Sequence, residues 1–199
     1  MWGVKVDGRV ERGEQTRRQI LRRAADIASV EGLEGLSIGR LATELEVSKS
    51  GVFAHFGSKE ELQLATVRAA AAIFVARVVD PAMAAPAGLE RLALLLDGWL
   101  AYSEERTFPG GCFFYAVQAE FDARPGRVRD QLVELDARWH ALVRDTAADV
   151  PGVGDPGQLA FELVAFLELA NAQSVLHGDQ RAYDRARAAV RGRLADFRR

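Results

Sequence analysis

The chain has 199 residues, 49% of them hydrophobic and 27% charged, which suits one large domain or two small ones with a packed core. Its formal net charge of −2 argues against a wholly basic nucleic-acid binder, and its single cysteine, Cys112, excludes an intrachain disulfide in this sequence. The most apolar run, 69–79, is interrupted by Arg77 and is too short to cross a bilayer. We therefore expect a cytoplasmic protein without a membrane partner.

Helical periodicity runs along nearly the whole chain, and the alternation typical of strands is almost absent. Thr16 and Gln19 fit a capping box, which predicts that the first helix begins near Thr16. Apolar residues then recur on one face from Ile20 to Ala28, and Gly32 ends the helix. The pattern predicts an all-α fold of about nine helices.

The second and third predicted helices lie close together in the sequence, with a short turn between them. Ser37 and Ser48 stand at their N-cap positions, and Gly57 follows the third helix. The small side chain of Ala42 allows the two helices to cross closely. This arrangement predicts a helix-turn-helix over about 37–56.

The fourth predicted helix is long and begins with a second capping box, formed by Ser58 and Glu61. We expect it to cover 59–79 and to end before Pro81. The segment Pro-Gly-Gly at 109–111 should loosen the start of the sixth helix. The remaining predicted helices cover about 88–105, 112–122, 128–149, 158–177 and 181–197.

The first turn of the third helix is polar and small, which a fully buried helix does not need. In a helix-turn-helix, the N-terminal residues of the second helix enter the major groove of DNA. Ser37 and Lys59 stand at helix starts on either side, where phosphate contacts are favoured. The candidates for contact with bases and phosphates are Ser48, Lys49, Ser50 and Gly51.

Several of these features also have a structural interpretation. The helix-turn-helix itself is a packing unit in some helical bundles. The arginines at 17, 18, 22 and 23 form either a solvated helix face or a set of phosphate contacts. His55 either contacts DNA or closes the core beside Phe56.

Three segments, ILRRAADIASVEG, SIGRLATELEVSKSG and HFGSKEEL, resemble the N-terminal domain of the TetR family of transcriptional regulators. They span about a quarter of the chain. The resemblance implies a DNA-binding domain over 13–57 and an effector-binding and dimerisation domain over 58–199. In that family the N-terminal domains of a dimer bind a palindromic operator, and the helical body binds a small molecule.

The resemblance also implies roles for single residues. The Ser-Lys-Ser start of the third helix falls where the family contacts DNA, and Lys59 falls where it has a phosphate-binding lysine. His55 falls where a histidine commonly lies near the DNA backbone. Phe53 replaces the usual tyrosine and lacks its hydroxyl. Glu46 stands where the family often has glycine, and a positive φ there would cost about 1 kcal/mol.

Aromatic residues concentrate on the fifth, sixth and seventh predicted helices, which surround the effector cavity in the family. Polar residues among them, including Glu120, are candidates for orienting a ligand. The resulting candidate pocket consists of Trp99, Tyr102, Phe113, Phe114, Gln118, Trp139 and Asn171.

The sequence offers no metal site and no cofactor motif. One cysteine and three dispersed histidines lack metal-ligand spacing. Cys112 and His140 lie on separate predicted helices without a third catalytic group. We therefore expect no enzymatic activity. The small-molecule effector that the resemblance implies is not identified by the sequence.

Apolar and small residues recur at helical spacing on the last two predicted helices. They predict either a four-helix dimer interface, which the resemblance favours, or faces that only cover the core of the monomer. The candidate interface residues are Leu163, Phe166, Leu167, Ala170, Ser174, Ala186 and Val190.

The helix-turn-helix predicts sequence-specific DNA binding. The resemblance implies a homodimeric, ligand-responsive repressor, and with the Gly-rich segment it suggests an effector that shifts the sixth helix and acts on the DNA domain through the fourth. The alternative hypothesis is a helical small-molecule-binding or scaffold protein with a vestigial DNA-binding unit.

Overall fold

The computed structural model describes residues 8–197, and this part of the chain is all-helical, as the sequence predicted. Nine helices are present within it, without a strand. Their bounds are α1 Gly8–Glu31, α2 Ile38–Glu44, α3 Lys49–Phe56, α4 Lys59–Met83, α5 Leu89–Glu104, α6 Phe113–Phe121, α7 Arg127–Ala148, α8 Pro156–His177 and α9 Arg181–Ala195.

Serine caps set the starts of α2, α3 and α4, as predicted. The hydroxyl oxygens of Ser37, Ser48 and Ser58 each accept a hydrogen bond from the main-chain N–H three residues further on. A cap of this kind contributes about 1 kcal/mol to helix stability. Gly57, with a φ of 73°, ends α3. The next residue, Ser58, is already the N-cap of α4.

The predicted start of α1 near Thr16 is wrong, because the helix already begins at Gly8. Thr16 lies in the middle of α1, and its hydroxyl donates to the main-chain oxygen of Arg12 at 2.9 Å. Its side chain therefore bonds one turn back along a continuing helix instead of capping a new one.

The predicted break at Pro81 is also wrong. α4 is α-helical over Lys59–Phe74, passes through a π-helical segment at Val75–Val79 and continues as an α-helix to Met83. Proline lacks an N–H and its ring crowds the carbonyl four residues earlier. The wider π turn lies immediately before Pro81, where the helix has to accommodate both effects.

α4 joins the helix-turn-helix to the body. Its part Lys59–Phe74 packs on α1 and α7, and its part 75–83 packs against α5. In the body, α8 pairs with α9 along its length and also contacts α7. One continuous apolar core extends from Ile20 in α1 to Leu194 in α9.

The loop before α6 is held firmly, so the prediction that Pro-Gly-Gly loosens this helix is wrong. Gly110 N donates to Ser29 Oγ at 3.0 Å, and Cys112 N donates to Asn171 Oδ1 at 2.9 Å. A Cβ on Gly110 would lie 1.8 Å from the main-chain oxygen of Ser29, and one on Gly111 would lie 2.3 Å from Asn171 Oδ1. These glycines allow close packing and do not act as a hinge.

Candidate functional site

The helix-turn-helix is a packed unit with one exposed face. Leu41 of α2 and Val52 of α3 are fully buried between the helices, and Ala42 is buried at their crossing. Val47 N donates to the main-chain oxygen of Ala42 at 3.0 Å and fixes the turn. Glu46 in this turn has a φ of 54°, so the chain carries the strain that its replacement of glycine predicted.

The predicted DNA-contacting residues lie on the outside of this unit. Val52 and Phe56 face the core, whereas Lys49, Ser50 and Phe53 point away from it. Phe53 is 55% exposed, so its ring is accessible on this outer face. The remaining predicted residues are exposed or half-exposed at neighbouring positions, namely Ser37, Ser48, Gly51, His55 and Lys59.

Several of these residues also have partners within the protein, as the Ser37 cap already showed. Ser48 Oγ accepts hydrogen bonds from Gly51 N at 3.0 Å and from Ser50 Oγ at 3.2 Å. Lys59 Nζ donates to the main-chain oxygen of Glu34 at 2.8 Å and to its carboxylate at 2.9 Å. The hydrogen bond from Lys59 lowers the pKa of the Glu34 carboxyl. A phosphate contact by Lys59 therefore requires this ion pair to open or to share the ammonium group.

Most of the α1 arginines contact the protein itself. Arg22 donates to the main-chain oxygen of Thr107 at 2.6 Å, and its guanidinium lies 5.0 Å from the centre of the Phe108 ring. Arg23 pairs with Glu44 of α2, and Arg17 lies over the Phe56 ring. These three side chains connect α1 to its neighbours, whereas exposed Arg18 makes no hydrogen bond or ion pair with the described residues.

A carboxylate of α6 connects the body to the helix-turn-helix. Glu120 accepts hydrogen bonds from Leu33 N at 2.7 Å and from Glu34 N at 2.8 Å, through its two oxygens. Gly32 leaves room for it, since a Cβ there would lie 2.6 Å from Glu120 Oε2. Glu120 therefore binds the α1–α2 connection, rather than orienting a ligand as its position in the sequence had indicated.

The body contains a cavity of about 210 Å³ between α4 and the helices packed around it. Trp99, Phe114, Gln118 and Trp139, four of the predicted pocket residues, line it. The rest of the wall consists of Ala71, Phe74, Val75, Val79, Cys112, Tyr115, Leu135, Asp136, Arg138, Leu142 and Glu168.

The other three predicted pocket residues lie behind this wall. Tyr102 and Phe113 are buried, and the Tyr102 hydroxyl accepts from Phe113 N at 3.3 Å. Asn171 Oδ1 accepts from Ser103 Oγ at 2.8 Å as well as from Cys112 N. Tyr183 joins the same buried network through Ser103. These side chains pack α5, α6, α8 and α9 together, and the structure does not place them in the cavity.

Sequence analysis missed two aromatic residues of the wall, Phe74 and Tyr115, and two carboxylates. Phe74 meets Trp139 edge to face, with ring centres 5.2 Å apart and planes at 90°. Asp136 and Glu168 face the cavity from α7 and α8. Phe74 could not be singled out because it lies in an apolar run of α4. The sequence does not show which way an acidic side chain on a long helix points.

The Cys112 thiol also lines the cavity. Burial raises the pKa of this thiol to about 11, so it is protonated at neutral pH. A protonated thiol is a poor nucleophile, and its position in a cavity wall is that of a small apolar side chain.

The predicted dimer-interface residues are used within the chain. Leu163, Leu167, Ala170, Ser174, Ala186 and Val190 are buried, and Phe166 is half-buried against the core. They pack α8 against α9 and the rest of the body. The exposed apolar face of α8 carries other residues, namely Phe161 (69% exposed), Leu169 (59%), Val175 and Leu176 (78%).

Two family models match the chain. The one described as bacterial regulatory proteins, tetR family, matches residues 20–66. The one described as tetracyclin repressor-like, C-terminal domain, matches residues 88–190. No curated protein matches the chain.

Solved structures share the fold at low sequence identity. A TetR transcriptional regulator of Chloroflexus aurantiacus J-10-FL is 23% identical, with a TM-score of 0.83 over 93% of this chain and 96% of that one. A transcriptional regulator of Saccharomonospora viridis in complex with choline is 22% identical, with a TM-score of 0.77 over 92% and 96%. AibR, in complex with isovaleryl coenzyme A and operator DNA, is 18% identical, with a TM-score of 0.69 over 88% and 96%.

A helix-turn-helix with an exposed second helix, joined to a helical body with an apolar cavity, defines the class of helical DNA-binding regulators. One family model matches residues 20–66, and the other matches residues 88–190, which is more than half of the chain. The chain therefore belongs to the TetR family. It is a DNA-binding, ligand-responsive transcriptional regulator.

Proposed function

We propose that the protein is a repressor that binds a palindromic operator as a homodimer and is released by a small molecule in the body cavity. The observation that carries the proposal is the exposed N-terminal half of α3, where Lys49, Ser50 and Phe53 point away from a buried Val52. The proposed parts are a DNA-binding domain over 13–57 and a non-enzymatic effector domain over 58–199, in the cytoplasm. The structure of AibR in complex with isovaleryl coenzyme A and operator DNA supports a protein that binds both a small molecule and DNA.

On DNA, the α3 start would supply the base contacts and the helix starts would supply the phosphate contacts. Lys49 and Ser50 would enter the major groove, with the Phe53 ring against sugar or base edges. Ser37 and Lys59 lie at exposed helix starts, where main-chain N–H groups favour anions. An approaching phosphate would compete with Glu34 for the Lys59 ammonium group.

The dimer would form through the exposed apolar face of α8 together with α9. Phe161, Leu169 and Leu176 recur at helical spacing on that face. α8 is as long and as apolar as a membrane-spanning helix. Only 44% of its most apolar window is buried inside the protein, so the rest of that window is open to a partner. Exposed Ala188 and Gly192 on α9 would let a partner helix approach closely. In such a dimer the two α3 helices must lie about 34–36 Å apart to enter successive major grooves.

α6 provides the route between the cavity and the DNA-binding part. Its Phe114 and Gln118 line the cavity, and its Glu120 holds the main chain at Leu33 and Glu34. A ligand that displaces α6 would therefore move the α1–α2 connection. Shifting a population of dimers from 1:99 to 99:1 requires a preference of about 5.5 kcal/mol for one state.

Selection of bound duplexes from a random DNA pool tests the proposed function. Wild-type protein should enrich a palindrome, and Lys49→Ala/Ser50→Ala should not. Arg144→Ala, which removes an exposed charge from α7, is the matched control and should enrich the same palindrome. Absence of enrichment by a folded wild-type dimer at low salt would refute the proposal and favour the vestigial DNA-binding unit.

A further inference from the structure

Aromatic rings make up much of the cavity wall, and neighbouring rings lie at steep angles to one another. Phe74 lies edge to face with both Trp139 and Phe114, with ring centres 5.2 and 5.9 Å apart and planes at 90° and 85°. Trp99 and Tyr115 contribute further rings to the wall. Faces of such rings carry negative potential and attract cations, most strongly in tryptophan.

Two carboxylates face the same space. Asp136 Oδ1 accepts a hydrogen bond from Gln118 Nε2 at 2.9 Å, which holds its side chain at the wall. No residue in the described part of the chain donates a side-chain hydrogen bond to the Glu168 carboxylate, which is half-buried. Burial raises the pKa of Glu168, because it removes part of the solvation of the charged carboxylate.

Two basic groups lie near the cavity, and their closest partners are residues other than Glu168. Arg138 is largely exposed at the rim and pairs with Glu134 at 2.5 Å. His140 Nδ1 lies 3.0 Å from the main-chain oxygen of Asp136 and 3.4 Å from its carboxylate. Neither Arg138 nor His140 donates a hydrogen bond to the Glu168 carboxylate.

We propose that the cavity binds a small organic cation, an ammonium group bearing apolar substituents, with the charge beside Glu168 and Asp136 and the substituents against the aromatic wall. The inference rests on the proposed function, since it names the chemical class of its effector. The volume of about 210 Å³ is below the range of about 300–1,000 Å³ typical of clefts for drug-sized ligands, so the cation is small.

A matched pair of probes separates charge from shape. Benzyltrimethylammonium and neopentylbenzene have the same shape and differ in one atom, a quaternary nitrogen in place of carbon. Equilibrium dialysis at neutral pH measures both dissociation constants, and quenching of Trp99 and Trp139 reports occupation of the cavity. We expect the wild-type protein to bind the cation at least about tenfold more tightly than its neutral isostere.

Three variants test whether the carboxylates cause this preference. Glu168→Gln should reduce the preference to less than about threefold, and Asp136→Asn provides a second variant with the same expected direction. Asp130→Asn removes an exposed charge from the same helix as Asp136, away from the cavity, and should leave the preference unchanged. Equal binding of the two probes, binding of neither, or a preference that both cavity variants retain would overturn the proposal.

Titration of the same preparations with the selected duplex distinguishes this failure from failure of the proposed function. DNA binding without a preference for the cation would reject only the ligand class. A preference for the cation without DNA binding would reject the regulator and leave the cavity assignment standing.

Discussion

At the scale of single residues, a few side chains determine what each surface can do. Phe53 exposes an apolar ring beside Lys49 and Ser50, which suits contact with DNA better than contact with water. Glu120 satisfies two main-chain donors of the α1–α2 connection. Glu168 places a carboxylate in an aromatic cavity without a donor among the described side chains.

Glu168→Gln should stabilise the ligand-free protein at pH 7. Burial, and secondarily Asp136, raises the pKa of this carboxyl in the folded state above 4.5, while His140 opposes the shift. The folded state therefore holds the proton more tightly, and the free energy of unfolding falls as pH rises through the interval between 4.5 and the folded-state pKa. Urea unfolding at pH 7 should show a gain below about 1 kcal/mol, because the group is half-exposed.

The gain from Glu168→Gln should disappear below pH 4.5, where the wild-type carboxyl is protonated in both states. Asp130→Asn is the control, since that side chain is exposed to solvent on α7. A variant that is less stable than the wild type at pH 7 would mean that the Glu168 carboxylate has a stabilising partner.

At the scale of helices, α6 is short but connects the cavity to the DNA-binding part. Gly110 and Gly111 fix its start against Ser29 and Asn171, so the helix has to move as part of a packed unit. Its far end is held to the α1–α2 connection by Glu120. These contacts favour displacement of α6 as a whole over bending at its N-terminal loop.

Glu120→Ala should weaken both the fold and the response to ligand. The substitution leaves the N–H groups of Leu33 and Glu34 without this acceptor, at a cost of about 1–3 kcal/mol where water cannot replace it. Urea unfolding measures the loss, and ligand-induced release from the selected duplex measures the coupling. Asp122→Ala, which removes an exposed carboxylate from the same end of α6, should change neither. Equal effects of both variants would argue against a specific connection through Glu120.

Local chemistry made the helices and their caps predictable. Helix starts were predictable at three serines, Ser37, Ser48 and Ser58. Each hydroxyl accepts a hydrogen bond from a main-chain N–H only three residues away, so the signal is local. Thr16 gave the same signal inside a longer helix, since a capping motif does not show whether the chain before it is already helical. Pro81 was mistaken for an end because a π turn is invisible in the periodicity of the sequence.

The cavity and the dimer face were predictable only in part. Trp99, Phe114 and Trp139 were found because aromatic clusters are conspicuous, but Tyr102 and Phe113 look the same in sequence and fill the core. On α8 both faces are apolar, so helical spacing could not separate the residues packed against α9 from the exposed ones. That distinction depends on tertiary packing.

At the scale of the whole molecule, the proposed dimer requires an interface, and we expect the exposed apolar face of α8 to be covered by the partner subunit. Leu169→Glu/Leu176→Glu should give folded monomers, because both side chains are exposed in the single chain and neither contributes to its core. Sedimentation velocity measures the mass, and circular dichroism checks the helices. Leu94→Glu, an exposed leucine on α5, is the control and should remain dimeric. A dimer that persists in the double variant would place the interface elsewhere.

The most direct test of sequence-specific DNA binding through α3 is a fluorescence-anisotropy titration of the selected palindrome and of a scrambled duplex. The wild-type dimer should bind the palindrome far more tightly, with an affinity that falls steeply with salt. Lys49→Ala/Ser50→Ala should lose at least about tenfold in affinity for the palindrome, and Arg144→Ala should lose nothing. Equal affinity of the wild-type protein for both duplexes, or full affinity in the double variant, would contradict recognition by the start of α3.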